Sequence, residues 1–370
     1  MRQIWQIAAG DSTRNYTDIF LGYDCMFLGP GRYGPYHDDV YHPLIDKGLL
    51  TKQKISWIKQ FATKVNPGDI VLLRNTYRVV SIGIVEGGYE HDETFDDVFG
   101  WDLQHTRRVI WQHHLNEELE KIQKAKEIFG GRLQIPMFTA VKDQKILDRI
   151  APLCGLCQSR PLKPMPIKVP EPLTLEELGE ELFSRGLPNE AVDKVILAIQ
   201  RQRRLAKWYE EHGEKSKRPK EHEVVAHMIL PFLLALGWSE QLLAVEWKRI
   251  DLAAFSGTPT TAENCCLVCE AKPFEHGLQD TFAQATTYVE HLKLDRCKKV
   301  LLTDGIRLYL YQRLVNKNWN EVPVGYLNIK LIRTNHVAPA NTNAVETIMA
   351  LTPAGINRVM IKNRFPLARE

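Results

Sequence analysis

The chain has 370 residues, a length at which a single core usually divides, so two domains are expected. Hydrophobic residues make up 44% and charged residues 25% of the sequence, as in soluble globular proteins, and no apolar run approaches the length of a membrane span. The net charge of +3 is too small to indicate a nucleic-acid-binding protein by itself.

The chain begins with a strand-like segment, MRQIWQIAAG, which lacks the features of a secretory signal. We therefore expect a cytoplasmic protein without a membrane partner. Residues 1 to about 113 predict mainly strands and turns, with a hairpin around Asn75 and Thr76. Two helical patterns follow, at 115–130 and 142–155.

The next segment, RPLKPMPIKVPEP, is dense in proline and is typical of a stiff linker. Beyond it, Thr174 and Glu177 form a capping box, and Asn189 is a candidate cap for a second helix. That helix and the loop after it carry a run of basic residues, which indicates either a solvated face or a phosphate-binding surface. The run comprises Arg201, Arg203, Arg204, Lys207, Lys215, Lys217, Arg218 and Lys220.

The seven cysteines are odd in number and irregularly placed, which favours a reducing compartment over a disulfide framework. Cys154 and Cys157 form one CxxC pair, and Cys266 and Cys269 form another. Two such pairs can bind zinc, but more than a hundred residues separate these two. A zinc site is therefore kept only as a minor alternative.

The stretch 220–238 predicts an amphipathic helix with an apolar face that ends at Gly237. A strand or strand pair then ends near Asp251, and a short apolar run predicts a buried strand that carries Glu270. Lys272 is two positions further on and therefore projects to the same side as Glu270. The apolar helical face comprises Val224, Val225, Met228, Phe232 and Leu236.

Hydrolysis of a phosphodiester requires neutralisation of phosphate charge, a nucleophile made from water and a stabilised leaving oxygen, and two carboxylates and a lysine suffice for these tasks. Asp251 and Glu270 are candidate ligands of Mg²⁺, or of Mn²⁺ as a substitute, and the backbone carbonyl of Ala271 is a further candidate ligand. Lys272 is suited to orient the attacking water and to offset charge on the phosphate. A Glu-x-Lys triplet alone is weak evidence, because solvated strands and helices produce it often.

The order of predicted elements from 218 to 315 strengthens this interpretation. It is helix, strand, strand with Glu-x-Lys, helix, strand, strand, and it includes LGW, IDLAAF, CEAKPF and LLTDG. This stretch resembles the PD-(D/E)xK nucleases, specifically the nuclease domain of type I restriction subunits. The resemblance implies roles for Glu221 on the first helix and for Gln284 and Tyr288 near the DNA; Glu223 competes with Glu221.

Nothing in the sequence resembles a Walker A phosphate loop, so a nucleotide-driven motor is not expected in this chain. One active site per chain cuts one strand, which favours a homodimer or DNA-induced pairing for double-strand breaks.

The first 112 residues include GDSTRNY, VNPGDIVLL and GWDLQHTRRVIW. They resemble the EVE group of PUA-like domains, which hold one modified base in an aromatic pocket. The free-energy cost of flipping out such a base is offset by stacking on aromatic rings and by hydrogen bonds in the pocket. Trp5 and Trp111 are predicted to be core residues. The resemblance implies a pocket formed by Asp11, Ser12, Asn15, Tyr16, Tyr33, Tyr36 and Trp101.

The predicted architecture is a mixed α/β and β multidomain protein. It comprises an N-terminal PUA-like β-barrel (1–150), a linker (151–172), a helical connector (173–217) and an α/β/α restriction-endonuclease-like domain (218–370). The predicted function is Mg²⁺-dependent cleavage of double-stranded DNA that carries a modified base, with C5-modified cytosine as first choice. The alternatives are an RNA-directed or repair nuclease and a non-catalytic binder of modified nucleic acid.

Overall fold

The computed structural model describes residues 2–11, 14–125, 137–166, 168–212, 219–278, 281–314, 318–358 and 360. The chain divides into two compact units, Met1–Lys168 and Val169–Glu370. Both contain helices and strands, as a mixed α/β architecture requires. Within these described ranges, no helix combines the length and the apolarity that a membrane span needs.

The first unit is built on one curved, mainly antiparallel sheet. Its strands are β1 (Ile4–Ala8), β2 (Gly10–Asp11), β3 (Arg14–Asn15), β4 (Cys25–Leu28), β5 (Ile70–Asn75), β6 (Arg78–Val85), β7 (Glu90–His91), β8 (His105–Trp111) and β9 (Phe138–Ala140). The main order is β4-β8-β6-β5-β1-β9, with β7 paired to β8 and a separate β2-β3 ribbon. The predicted hairpin is confirmed, because Asn75 pairs with Arg78 across the turn between β5 and β6.

Two buried tryptophans anchor the core of this unit, as the sequence predicted. The indole of Trp5 stacks on Phe138 and donates a hydrogen bond of 2.9 Å to Asp69. The indole of Trp111 donates to the carbonyl of Phe20 at 2.9 Å. Both rings are therefore buried with their polar N–H groups satisfied, which is what makes burial of a tryptophan favourable.

The expectation that residues 1–113 form mainly strands and turns is wrong between 17 and 63, where four helices occur. The helices of the first unit are α1 (Thr17–Gly22), α2 (Asp38–Tyr41), α3 (Pro43–Asp46), α4 (Lys52–Thr63), α5 (Asn116–Ala125) and α6 (Gln144–Cys154). Helix α4 is capped by Thr51, and it buries Ile55, Ile58 and Phe61, which lie three residues apart. This period of three was visible in the sequence and is typical of a helix packed on one side.

The predicted boundary at residue 150 and the linker over 151–172 are also corrected. Helix α6 continues to Cys154, and the division between the units falls after Lys168. The side chain of Arg160 and the backbone N–H of Lys163 bind the buried carboxylate of Asp24. Most of the proline-dense segment therefore belongs to the first unit, because a distant aspartate holds it there.

The second unit contains a six-stranded sheet flanked by helices. Its strands are β10 (Leu243–Trp247), β11 (Ile250–Phe255), β12 (Cys265–Ala271), β13 (Lys299–Thr303), β14 (Arg307–Gln312) and β15 (Gly325–Asn328), paired in that order. Its helices are α7 (Leu175–Ser184), α8 (Asn189–His212), α9 (Glu221–Val224), α10 (Leu230–Ala235), α11 (Thr281–His291) and α12 (Ala344–Leu351). Only β12 and β13 pair in parallel, and α11 forms the crossover between them.

The predicted element order from 221 to 312 is confirmed, with β10 and β11 as the strand pair. The prediction that this pair ends near Asp251 is wrong, because β11 begins at Ile250 and continues to Phe255. The predicted first helix is present as α9 and α10, and a π-helical turn at Val225–Ile229 joins the two. The five apolar side chains predicted for its face are all buried. The chain leaves α10 at Gly237, whose φ of 96° is the left-handed conformation expected of a C-terminal glycine.

The described part of the predicted connector, residues 173–212, packs into the second unit, which corrects the predicted domain scheme. Leu182 of α7 and Ile199 of α8 are buried in the same apolar core as Met228. The side chain of Gln202 also donates to the Met228 carbonyl at 3.0 Å. The capping box of Thr174 is confirmed. In contrast, Asn189 is the first helical residue of α8 and not its cap.

Candidate active site

The candidate active site lies at the ends of two neighbouring strands of the second unit. Asp251 is near the start of β11, and Glu270 is near the end of β12. The two strands are antiparallel with Leu252 opposite Cys269, so the same register places Asp251 opposite Glu270. Opposed residues on adjacent strands project to the same face, which brings these two carboxylates together.

Hydrogen bonds fix the positions of the charged groups. One oxygen of Asp251 accepts the backbone N–H of Ala271 at 2.7 Å. The ammonium group of Lys272 donates to Glu270 at 3.2 Å, and the backbone N–H of Lys272 donates to the carbonyl of Thr303 at 2.8 Å. The backbone of β12 thus holds Asp251 and Lys272 on either side of Glu270.

The carboxylates of the site lie close together and are largely removed from water. Glu270 is only 2% exposed, and burial together with the charge of Asp251 raises its pKa to about 7 despite the opposing effect of Lys272. Burial also raises the pKa of Asp251, although its hydrogen bond from Ala271 opposes the shift. Two neighbouring carboxylates whose pKa values are both raised are typical of functional sites.

Lys272 remains protonated in this environment. Burial by itself would lower the pKa of its amine, but the neighbouring carboxylates of Glu270 and Glu221 outweigh burial and raise the pKa above its ordinary value. The ammonium group is 3.2 Å from one oxygen of each of these two glutamates. It is therefore a fixed positive charge beside the carboxylate pair.

The structure distinguishes Glu221 from Glu223, which the sequence could not. Glu221 contacts Lys272, whereas a carboxylate oxygen of Glu223 accepts the backbone N–H of Lys220 at 2.9 Å and closes the start of α9. A residue at the third helical position is suited to that capping role. Glu221 is thus the acidic residue of the first helix that reaches the site.

Gln284 and Tyr288 lie one turn apart on α11, as predicted. The amide of Gln284 donates to Glu270 at 2.6 Å and is 3.3 Å from the hydroxyl of Tyr288. Both residues therefore line the same face as Glu270. Their placement depends on the crossover between β12 and β13, which lays α11 across the sheet.

The second oxygen of Glu270 gives a test of whether a cation fits here. This oxygen is buried and has no hydrogen-bond partner among the described residues. A desolvated carboxylate oxygen needs a donor or a cation. Within the described ranges, no three His, Cys, Asp and Glu side chains gather into a metal site. The paired carboxylates of Asp251 and Glu270, with one buried oxygen that lacks a donor, fit a divalent cation.

The two CxxC pairs belong to different units. Cys154 and Cys157 belong to the first unit, while Cys266 and Cys269 are buried on β12 of the second. Burial raises the pKa of the Cys266 thiol to about 12, which disfavours the thiolate that zinc requires. The minor zinc alternative therefore receives no support from these residues.

The residues nominated for base binding form two groups in the first unit. In the first group, the guanidinium of Arg14 lies 3.5 Å from the ring centroid of Trp101 and 3.4 Å from the carboxylate of Asp11. Asn15 is adjacent on β3, and its side chain accepts the N–H of Thr17. Arg14 was not predicted; it was recognisable only as a cation within the GDSTRNY stretch.

The second group is an aromatic cluster around a buried histidine. His105 is contacted at its two ring nitrogens by the hydroxyls of Tyr41 and Tyr89, at 3.0 and 2.8 Å. Tyr33 and Tyr36 pack against Tyr41, with ring centroids 6.3 and 5.2 Å away. Tyr41 and Tyr89 were missed by the sequence analysis, because nothing local distinguishes them from core residues.

The remaining nominated residues have different environments. Tyr16 is 5% exposed, so its ring faces the interior of the first unit. Tyr36 is also buried, and its hydroxyl donates to Asp38. Ser12 lies outside the described residues. The structure thus brings Asp11, Asn15 and Trp101 together and places Tyr33 and Tyr36 in a separate cluster.

The turn after β13 has a structural role that the sequence motif LLTDG did not specify. Asp304 accepts the N–H of Arg307 and pairs with its guanidinium, and both residues are buried. Gly305 has φ of 88°, and a side chain there would lie 2.5 Å from the sulfur of Met228. The motif therefore supports the helix that carries Glu221.

Comparison with known proteins adds one partial match. A family model described as a domain of unknown function (DUF8426) matches residues 5–129, which lie within the first unit. No curated protein matches the chain.

Proposed function

We propose that this protein is a Mg²⁺-dependent endonuclease that cuts double-stranded DNA carrying a modified base, with C5-modified cytosine as first choice. The PUA-like and restriction-endonuclease-like identities of the two units are part of this proposal. The observation that carries it is the group formed by Asp251, Glu270 and Lys272, in which a buried glutamate oxygen has no partner among the described residues.

The residues of the site suit hydrolysis of a phosphodiester. Asp251, Glu270 and the Ala271 carbonyl would hold Mg²⁺, or Mn²⁺ in its place. When bound, the cation would neutralise charge on the phosphate and lower the pKa of a water molecule. Lys272 would hold that water and offset charge on the phosphate, since its ammonium group already points at the carboxylates.

Gln284 and Tyr288 extend the site along α11. In the present arrangement Gln284 donates to Glu270, so it fixes the rotamer of that side chain. Tyr288 is next to it and carries a hydroxyl suited to a phosphate oxygen. We propose that this pair positions the DNA backbone relative to Glu270.

The proposed reader is the first unit. Trp101 offers an aromatic face now covered by Arg14, and Tyr33 lies on the neighbouring cluster. Stacking on an aromatic ring contributes about 1–3 kcal/mol per base, enough to offset part of the cost of flipping one base. Recognition by one unit and cutting by the other suit defence against foreign DNA in the cytoplasm.

The decisive experiment is incubation of the full chain with Mg²⁺ and matched duplexes that carry cytosine, 5-methylcytosine or 5-hydroxymethylcytosine. We expect cutting of a modified duplex, loss of cutting with chelator, and no cutting by Lys272→Ala. Cutting that persists in Lys272→Ala would exclude the proposed site. A matched RNA arm separates the RNA-directed alternative, and binding without cutting in every arm would indicate a non-catalytic binder.

A further inference from the structure

The exposed face of α8 carries charges of opposite sign on its two halves. Glu190 and Asp193 are exposed near its start, and Arg201 and Arg204 are exposed further along. Leu197 lies between them and is 60% exposed. These positions are three or four residues apart, so they form one stripe along the helix, with the spacing of a helix-packing seam.

A groove beside the acidic half of this stripe is open to a partner. It has a volume of about 750 Å³ and lies between α7 and α8. Its apolar lining includes Phe183, which is 52% exposed, and Glu176 and Glu180 add acidic side chains to its α7 wall. An exposed apolar surface with an acidic rim fits a partner that presents apolar and basic groups together.

The basic half of α8 presents that combination. Arg201 and Arg204 are followed on the same stripe by Trp208, which is 55% exposed. The surface that the groove requires is therefore present on another copy of the same helix. A self-complementary patch of this kind is the requirement for a twofold interface.

We infer that α8 is the interface of a homodimer, in which two copies of the helix pack antiparallel about a twofold axis at Leu197. Antiparallel pairing about this residue places Asp193 opposite the partner's Arg201 and Glu190 opposite the partner's Arg204. The partner's Trp208 then lies over the turn at Gly186, next to Phe183. A side chain at Gly186 would meet nothing within 4 Å, so this turn leaves room for an indole.

The size of the helix is compatible with this arrangement. Helix α8 has 24 residues and is therefore about 36 Å long, and α7 packs beside it. Lys194 is exposed on the same stripe, and it faces the partner's Gln200 without opposing a like charge. Both acid–base contacts occur twice because of the symmetry.

The charge pattern on the exposed face of α8 fits a second copy of the chain better than it fits DNA. The basic run predicted from the sequence as a possible phosphate-binding surface shares its face with Glu190 and Asp193, which would repel phosphate. Lys215, Lys217 and Arg218 of that run lie outside the described residues. The suggestion that the dimer supplies two active sites for a double-strand break rests on the proposed function. The interface itself rests only on the surface of α8.

The test uses charge reversal and sedimentation of the full chain at increasing concentration. We expect the wild-type protein to reach twice the chain mass of 42.5 kDa. Glu190→Arg with Asp193→Arg makes positions 190, 193, 201 and 204 all basic, and Arg201→Glu with Arg204→Glu makes these four positions all acidic. Each double variant should weaken dimerisation by at least about tenfold, the effect of a loss of about 1.4 kcal/mol.

Mixing the two double variants provides the discriminating measurement. Each acidic position then meets a basic one, so we expect a heterodimer as tight as the wild-type dimer. Lys47→Glu with Lys52→Glu is the control for Arg201→Glu with Arg204→Glu, because it lowers the net charge by the same amount at exposed positions of the first unit. Melting temperatures check that all variants are folded.

Three results would overturn the inference. They are a wild-type protein that stays monomeric at every concentration, a dimer that is unaffected by both reversals, and a mixture that does not pair. Loss of DNA binding in the acidic variant with an unchanged oligomeric state would assign the face to phosphate instead. Nicking of one strand by monomeric variants would leave the proposed nuclease intact, so the two proposals fail separately.

Discussion

The two units differ in how completely a buried carboxylate is hydrogen-bonded. In the first unit, Asp24 is fully buried and accepts hydrogen bonds from the guanidinium of Arg160 at 2.6 and 2.7 Å and from the N–H of Lys163 at 2.8 Å. In the second, Glu270 is buried with one oxygen lacking a hydrogen-bond partner among the described residues. Complete satisfaction of a buried charge supports the fold, whereas incomplete satisfaction leaves it available to a ligand.

The pKa values of these carboxylates follow the same difference. Burial would raise the pKa of Asp24, but the hydrogen bonds and charges of Arg160 and Lys163 outweigh it and lower the pKa below its ordinary value. At Glu270, burial and Asp251 dominate and raise the pKa to about 7. The comparison therefore predicts that substitutions at Asp24 affect stability and that substitutions at Glu270 affect activity.

The largest expected effect is that of Glu270→Gln on cutting. The amide keeps the shape of the side chain but removes the negative charge proposed to bind the cation, so the rate should fall on the order of a hundredfold or more. The melting temperature should change little, because Lys272 keeps Glu221 as its anion and the amide oxygen at position 270 can still accept the hydrogen bond from Gln284. A variant that cuts normally but unfolds easily would reverse the roles of the two carboxylates.

The next effect is that of Asp24→Asn on stability. The change leaves Arg160, which is about one-third exposed, without its anion, and we expect the first unit to lose about 2–3 kcal/mol. Asparagine tolerates the positive φ of 49° at this position, so backbone strain does not contribute. Urea denaturation measures the loss. An unchanged midpoint would show that the ion pair does not hold the proline-dense segment in place.

The same variant tests the pH dependence. Because the pKa of Asp24 is lower in the folded than in the unfolded protein, its stabilisation is complete above the ordinary value of 3.8 and is lost as pH falls through the folded value. The difference in stability between the wild type and Asp24→Asn should therefore be constant near neutral pH and shrink below about pH 4. A difference that grows on acidification would contradict this assignment.

A smaller effect is expected from Trp101→Ala on recognition. Loss of one stacking surface should reduce the preference for modified over unmodified DNA about tenfold, within the range for removal of one aromatic ring. Tyr77→Ala is the matched control, because Tyr77 is exposed on the hairpin between β5 and β6. Binding titrations with the two duplexes measure the ratio. If both variants lost the preference for modified DNA equally, Trp101 would not be part of the proposed pocket.

The smallest effect is that of Gln284→Ala, which should slow cutting about tenfold with DNA affinity within about twofold of the wild type. The amide orients Glu270 but is not itself a proposed ligand. Thr287→Ala on the same helix is the control, since its hydroxyl donates to the carbonyl of Ala283 within α11. If Gln284→Ala weakened binding as much as cutting, the main role of Gln284 would be to bind DNA and not to orient Glu270.

Local patterns in the sequence determined several features of the structure. The capping box at Thr174, the hairpin at Asn75 and the apolar face that includes Met228 all depend on neighbours within about seven positions. The alternation along a strand also placed Glu270 and Lys272 on the same side. Such features were predictable because side-chain direction repeats with a fixed period in helices and strands.

Tertiary structure alone decided which distant groups meet. The register of β11 and β12 sets Asp251 beside Glu270, and the contact with Lys272 selects Glu221. Asp24 and Arg160 are separated by 136 positions, so no local pattern could show that a proline-dense segment would bind the first unit. Periodicity determines the side to which a residue points, whereas strand pairing and helix packing determine what it faces there.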